Sequence, residues 1–414
     1  MRIIYKIGIR VYFLLVLLAS PFNEKARRWL RGRRGMWRKI KKNIDPSKDI
    51  YWFHCSSLGE FEQGRPLIER IREEKPDVFI LLTFFSPSGY ELRKNYSLAD
   101  LVTYLPLDTR FNAWRFMNLV KPAAAYFIKY EFWYYFLRTL RKKKVPVFLV
   151  SAKFRSDQAF FKWWGKWYRK FLNFFAHIFV QDEQSLLLLK SLGHTNVTIS
   201  GDTRFDRVFE ISTKSRDYPG VELFKNNKKI LIAGSTWEKD EELLVRFINE
   251  NNHDYKFILA PHEINSRKIY KLISEIDSAV VKFTEEDKSA YPRAKVMIID
   301  TIGHLSSVYK YGDIAYIGGG FGKGIHNILE AATYSLPVVF GPNYQKFTEA
   351  VELISKAAAY SISDFDELNE NLNLLFGNDN KREECSQKAG DYVKSKLGAT
   401  DLIIRESFKM IPTK

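Results

Sequence analysis

The sequence predicts an α/β protein: two doubly wound, Rossmann-like domains facing a cleft, with an apolar helix at the N-terminus. Three observations carry that expectation. From residue 49 onward short apolar runs alternate with amphipathic stretches, the rhythm of a parallel sheet covered by helices on both faces. The rhythm lapses over 209–228, which holds Pro219-Gly220, and restarts at 229. Finally, 414 residues, 46% of them hydrophobic, suffice for two cores and exclude a disordered chain.

The elements follow in order. Residues 1–22 are expected to be a membrane-anchoring helix, because Val11–Ala19 is wholly apolar and Ile3, Ile4, Tyr5, Ile7 and Ile9 extend the pattern. The unbroken run is shorter than the roughly 20 residues of a comfortable span. A secretory signal is the rival reading. Against export stands Lys25–Lys42, with ten Lys and Arg and no acid, a pattern kept on the cytoplasmic side and drawn to anionic lipid. Residues 23–208 then read as the first domain, with strands expected at 51–55, 78–83, 101–105, 124–128, 147–150, 178–180 and 197–199. After the linker at 209–228, residues 229–414 read as the second domain. Its strands are expected at 229–233, 257–260, 296–299, 314–317 and 338–340, and helices close the chain.

Charge divides the same way. Residues 1–200 carry 36 Lys and Arg against 16 Asp and Glu, whereas residues 201–414 carry 29 against 32. The first half therefore suits an anionic partner. Two cysteines, Cys55 and Cys385, exclude a disulfide framework and a Cys-rich zinc module.

Ligands of doubly wound sheets bind beyond the carboxyl ends of strands, and the distinctive motifs lie there. His54-Cys55-Ser56-Ser57-Leu58-Gly59-Glu60 ends a strand and puts a carboxylate in the first helical turn, where the helix dipole favours it. Lys129-Tyr130-Glu131-Phe132-Trp133 places a second carboxylate among aromatics, surroundings that raise a carboxyl pKa. Both also fit plainer roles, as a helix-terminal acid and a salt-bridge partner.

The second half holds Gly318-Gly319-Gly320-Phe321-Gly322-Lys323-Gly324, a strand-to-helix loop whose amides are expected to cradle a phosphate. It lacks the closing of a Walker loop. Asn327 and Glu330 follow, with Glu330 expected one turn inside a helix at 325–334 and suited to ribose hydroxyls. Ser235 and Thr236 form a turn into a capped helix. His262 and Gly303 follow further strands. The spacing of His262, Glu263 and His304 matches no metal-ligand signature.

Taken together, HCSSLGE at 54–60, TFFSPSGYE at 83–91, YLPLD at 104–108, KYEFW at 129–133, SAKFR at 151–155, GDTRFD at 201–206, AGSTWEKDEE at 233–242, APHE at 260–263 and GGGFGKGIHNILE at 318–330 resemble the 3-deoxy-manno-octulosonic acid (Kdo) transferases of lipopolysaccharide synthesis. The resemblance implies a GT-B glycosyltransferase at the cytoplasmic face of the bacterial inner membrane. It would move Kdo from CMP-Kdo to the tetraacyl disaccharide bisphosphate precursor of lipid A, with inversion and without metal or cofactor. Catalysis would fall to Glu60 as general base, with Glu131 as a second carboxylate. Ser57, Gly59, Lys129, Arg155 and Arg204 would face the acceptor and its phosphates. Ser235, Thr236, His262, Gly303, Gly319, Gly320, Gly322, Asn327 and Glu330 would face the donor.

This chain departs from the family pattern at Pro261-His262-Glu263, at Thr301-Ile302-Gly303-His304-Leu305 and at Arg204, mostly around the donor. Two alternatives stay open on sequence grounds. One is another GT-B enzyme with a different nucleotide sugar and lipid acceptor. The other is a basic nucleic-acid-binding protein, although the chain lacks an RRM, KH or helix-turn-helix signature. No nucleic-acid partner is expected on the first reading.

Overall fold

The computed structural model describes residues 1–412, and among them lie two seven-stranded parallel sheets. The first contains β1 (Ile50–Cys55), β2 (Phe79–Phe84), β3 (Leu101–Tyr104), β4 (Ala124–Ile128), β5 (Val147–Ala152), β6 (His177–Val180) and β7 (Val197–Ile199) in the order β3-β2-β1-β4-β5-β6-β7. The second contains β8 (Ile230–Thr236), β9 (Lys256–Pro261), β10 (Val280–Lys282), β11 (Val296–Ile298), β12 (Ile314–Ile317), β13 (Val338–Phe340) and β14 (Ala359–Ser361) in the order β10-β11-β9-β8-β12-β13-β14. The chain divides into two compact units, Met1–Arg207 with Leu397–Lys414, and Val208–Lys396.

Burial on both faces explains why the strands read as unbroken apolar runs. Along β1, Ile50 and Trp52 enter one core, whereas Tyr51, Phe53 and Cys55 enter the other. Each large side chain so buried contributes roughly 1.5–3 kcal/mol. In the second unit Leu231, Ala233, Leu259, Ile298 and Tyr316 join the helices Glu238–Glu250 and Phe365–Gly377 in one core.

Strands β10 and β14, of three residues each, were not among the expected strands. Residues 209–228, expected as a linker, instead include the end of helix Arg204–Thr213 and the helix Pro219–Lys225. The chain's end also differs from expectation. Helix Ala399–Phe408 closes the first unit, not the second: Ile403 and Ile404 pack with Tyr51, Phe53 and Tyr126, and the Ser407 and Tyr126 hydroxyls meet at 3.0 Å. Asp206 accepts the amides of Gly398 and Thr400 at the start of that helix, at 2.7 and 2.6 Å. Apolar periodicity reveals a buried helix face without naming the sheet it covers.

The first helix, Arg2–Ala19, lies against the first unit. Its Tyr5 hydroxyl donates to the buried Asp108 carboxylate at 2.5 Å. Asp108 also accepts the amides of Tyr135 and Phe136 at 2.9 and 3.0 Å. Burial pushes its pKa up to about 6 against the pull of these three bonds. Among the described residues no single helix is long and apolar enough to cross a membrane.

Candidate active site

Each sheet has one place where its strand order reverses, and ligands of such sheets lie at that point. In the first unit it falls between β1 and β4, which pair in register at His54 and Phe127. Glu60 follows β1 and Glu131 follows β4, so the reversal brings the two carboxylates to one sheet edge.

Glu60 belongs to the first turn of helix Leu58–Glu74, behind Ser57. Its Oε2 accepts the amides of Ser56 and Ser57, the latter at 3.2 Å. Burial, and after it the charge of Glu131, raises the Glu60 pKa to about 7. The two amides and the Lys129 ammonium pull the other way. A carboxylate that half-titrates near neutrality is matched to taking a proton from a hydroxyl. Gly59 is exposed, and its Cβ position is open.

Glu131 is buried and held on two sides. Its Oε2 lies 2.9 Å from His54 Nε2 and accepts the Trp133 indole N–H at 2.6 Å. His54 is fully buried, with Nδ1 3.2 Å from the Thr83 carbonyl and 2.9 Å from the Thr83 hydroxyl. A carbonyl only accepts, so His54 Nδ1 carries a hydrogen. The Trp52 indole N–H fixes the Thr83 hydroxyl from the other side at 2.8 Å. The Trp133 indole N–H also points to His54 Nε2, at 2.9 Å. Glu131 is thus clamped by two side chains, whereas Glu60 is held by two backbone amides.

Lys129 sits in the left-handed region at φ 61°, a strained conformation for a residue with a side chain. Its charge acts on Glu60. Arg155 lies beside Tyr130 and 3.4 Å from Asp157. Arg204 is turned onto its neighbour Asp202, with Nε and Nη2 at 2.9 and 2.7 Å. That loop packs on the Glu60 helix, where the Thr203 hydroxyl donates to the Gln63 carbonyl at 2.6 Å. Ser57, Glu60, Lys129 and Glu131 therefore come together, while Arg155 and Arg204 each hold a nearby carboxylate.

In the second unit the order reverses between β8 and β12, which pair at Gly234 and Ile317. Ser235 there is also left-handed, at φ 55°. The glycine-rich loop packs directly on this kink. A Cβ on Gly318 would stand 2.3 Å from the Ser235 carbonyl, and one on Gly320 would stand 2.6 Å from the Gly341 backbone. Several of its amides serve the loop itself: Gly319 donates to Asp240 at 2.8 Å, while Gly322 and Gly324 donate to the Gly319 carbonyl at 3.0 and 3.3 Å. These three amides are therefore spent within the protein, which leaves the loop's other amides for a phosphate. Buried Asp240 also accepts the Tyr316 hydroxyl at 2.8 Å and the Trp237 amide at 2.9 Å, tying loop, sheet and helix together.

Beside the loop, His262 stacks on Trp237 at 4.6 Å and on His326 at 4.3 Å between ring centres. The Trp237 indole N–H donates to His326 Nε2 at 2.9 Å. Burial, then the neighbouring His262, lowers the His326 pKa to about 4. His326 is therefore neutral, with its hydrogen on Nδ1. The Thr236 hydroxyl donates to Glu241 at 2.9 Å. Asn327 and Glu330 bond to each other at 2.9 Å. The helix there begins only at Leu329, so Asn327 precedes it and Glu330 lies in its first turn. Gly303 turns at φ 93° ahead of His304, whose Nδ1 meets the Tyr218 hydroxyl at 2.9 Å. Glu263 pairs with Lys268. His262, Glu263 and His304 thus go to three different partners.

Sequence reasoning did not place His54, Trp133, Trp237, His326 or Asp240 among the site residues. Their signal was adjacency, since His54 heads the HCSSLGE run and Trp133 ends KYEFW. Position in a motif does not reveal which side chain turns toward a carboxylate.

The family model for 3-deoxy-D-manno-octulosonic-acid transferase (kdotransferase) matches residues 28–207. A 3-deoxy-D-manno-octulosonic acid transferase of Aquifex aeolicus is 29% identical, covering 77% of this chain and 83% of the relative. One from Rickettsia bellii is 25% identical over 90% of this chain and 89% of the relative. In fold, the UDP-GlcNAc 2-epimerase of Neisseria meningitidis is similar at a TM-score of 0.59 and 14% identity, covering 87% of this chain and all of that one. The two Rossmann-like units are of the GT-B type. The carboxylate pair lies inside the matched region, and over most of its length the chain is similar to 3-deoxy-D-manno-octulosonic acid transferases, which are glycosyltransferases.

Proposed function

We propose that this protein transfers Kdo from CMP-Kdo to the tetraacyl disaccharide bisphosphate precursor of lipid A, at the cytoplasmic face of the inner membrane, with inversion and without metal. The observation that carries the reading is Glu60: a carboxyl group at the sheet's reversal, with its pKa raised to about 7, in a chain similar to Kdo transferases.

In this reading Glu60 takes the proton of the acceptor hydroxyl as its oxygen attacks the anomeric carbon of Kdo. The new carbon–oxygen bond forms on the face opposite the departing CMP, so one displacement inverts the centre. Glu131 does not exchange protons with substrate, because His54 and Trp133 hold its Oε2. It acts through its charge, which raises the basicity of Glu60. Lys129 stands close enough to influence Glu60 and suits an acceptor phosphate.

The donor belongs with the second unit. The His262 face of the Trp237–His326 stack suits a pyrimidine base, because flat aromatic surfaces stack on bases. The Asn327–Glu330 pair suits ribose hydroxyls. Lys323 and the loop amides not used internally remain for the phosphate. Attachment to anionic lipid rests on the apolar first helix and the basic run from Lys25 to Lys42.

The test is transfer itself. Detergent-solubilised protein is incubated with the tetraacyl precursor and CMP-Kdo generated in situ, with EDTA present, and the lipid products are weighed. A gain of one or more Kdo units is the expected result. No gain from folded protein that binds the lipid, together with transfer from another nucleotide sugar, would overturn the donor assignment.

A further inference from the structure

The first helix exposes one face and docks the other. Ile3, Ile4, Ile7, Val11, Leu14, Leu15 and Leu18 are all exposed, and their three- and four-residue spacing forms a continuous apolar stripe. The other face is fastened to the first unit at two levels. Tyr5 bonds to Asp108 and lies 5.8 Å from the Tyr134 ring. Two turns further on, Tyr12 lies 5.9 Å from the rings of both Trp29 and Phe85. A helix seated along its length on a domain cannot cross a bilayer without breaking these contacts.

A second apolar feature lies beside the start of this helix. Tyr5 is 5.7 Å from the Trp167 ring, and Trp167 follows the short turn Trp163–Gly165. There Trp163 is 91% exposed and Trp164 49% exposed. Lys162 and Lys166 flank the pair, and residues 158–181 contain no acid. Exposed tryptophans ringed by cations suit the headgroup level of an anionic membrane. Neither a core nor a helix cap requires them.

We infer that the first unit docks on an anionic bilayer as a monotopic protein through two separate contacts: the stripe of helix Arg2–Ala19 lying in the membrane plane, and Trp163–Trp164 inserted as a wedge. This deepens the membrane attachment proposed above and rests on it. The arrangement seats the carboxylate-bearing unit on the surface that presents the lipid acceptor.

Both native cysteines are buried, so single cysteines introduced at Ile4, Val11, Leu18 and Trp164 of the full chain can carry a fluorescent label selectively. The labelled proteins are mixed with phosphatidylglycerol–phosphatidylethanolamine vesicles bearing nitroxide quenchers at shallow or deep acyl positions. In-plane docking predicts that the shallow quencher acts more strongly at all four sites. Deep quenching at Val11 with shallow quenching at Ile4 and Leu18 would mean a spanning helix and overturn the in-plane assignment, while leaving attachment intact. In parallel, W163S/W164S should sediment with these vesicles about tenfold more weakly than the parent, interfacial tryptophans being a main source of such binding, with its circular dichroism unchanged. Equal binding would overturn the wedge. A loss of self-association without a change in vesicle binding would make the ridge a protein interface and overturn it too. Failure of the parent to bind any anionic vesicle would instead remove the attachment reading on which this inference stands.

Discussion

The two sheet reversals solve different problems with the same topology. At β1 and β4 the loops deliver ionisable groups, Glu60, Glu131, His54 and Lys129, with the charges of Glu131 and Lys129 acting on the proton affinity of Glu60. At β8 and β12 they deliver closely packed glycine backbone and a stack of aromatic rings, with Asp240 consumed as an internal tie. In the proposed reading the first place serves a hydroxyl acceptor, which needs a base, and the second a nucleotide donor, which needs a shaped and pre-formed seat. Both places also hold a left-handed residue with a side chain, Lys129 and Ser235, as functional loops on a rigid scaffold often do.

Substitutions should respond accordingly. The largest effect is expected at Glu60. Glu60→Gln should lower turnover by about 10²–10⁴-fold, the usual weight of a general base, with a KM for CMP-Kdo close to the parent's. His54→Ala comes next. It removes a charge-assisted bond to Glu131, and a loss of about 1.5–3 kcal/mol corresponds to roughly 10–100-fold in rate. The parent-like quantity to check is CMP-Kdo affinity, which a fault confined to the first unit leaves unchanged.

In the second unit the same exercise reads out as stability. Gly320→Ala pushes a Cβ against the Gly341 backbone, and such overpacking should cost about 1–3 kcal/mol in thermal or denaturant unfolding. Gly59→Ala is its counterpart in the first unit. Nothing lies within 4 Å of that Cβ, so its stability should stay within about 0.5 kcal/mol of the parent. If both alanines cost the same, the contrast between the two loops is wrong.

A further difference concerns pH. The Glu60 pKa rises from 4.5 to about 7 on folding, so the native state holds its proton where the unfolded chain has released it. Native stability therefore falls as pH rises across that window. Glu60→Gln removes this dependence and should be the more stable form at pH 8, by about 1–3 kcal/mol after allowing for partial exposure. Equal stability at pH 5 and pH 8 in both proteins would contradict the burial of the charge.

The strands were legible in the sequence because burial on both faces leaves apolar runs, as in AAYFI at 124–128. The edge strands β10 and β14 were not, although β7, as short and no more buried, was. Glu60 and Glu131 stood out because each follows a strand within a distinctive motif. The clamp on Glu131 was hidden: His54 reaches it across 77 residues of chain, and no local pattern records such a partner. Arg204 shows the same limit, because its guanidinium meets Asp202 two residues earlier and the motif alone does not record that pairing. The last helix misled because amphipathic spacing shows that a face is buried without showing by which sheet.

The role proposed for Glu60 is that of the base in Kdo transfer. It is tested most directly by the pH dependence of the single-turnover transfer rate, measured for the parent and for Glu60→Gln with saturating CMP-Kdo and acceptor. The parent rate should climb with pH and level off above about 7, while the folded variant stays slow and flat across the same range. A variant that transfers at the parent rate, or one that keeps the parent's inflection, would contradict the assignment.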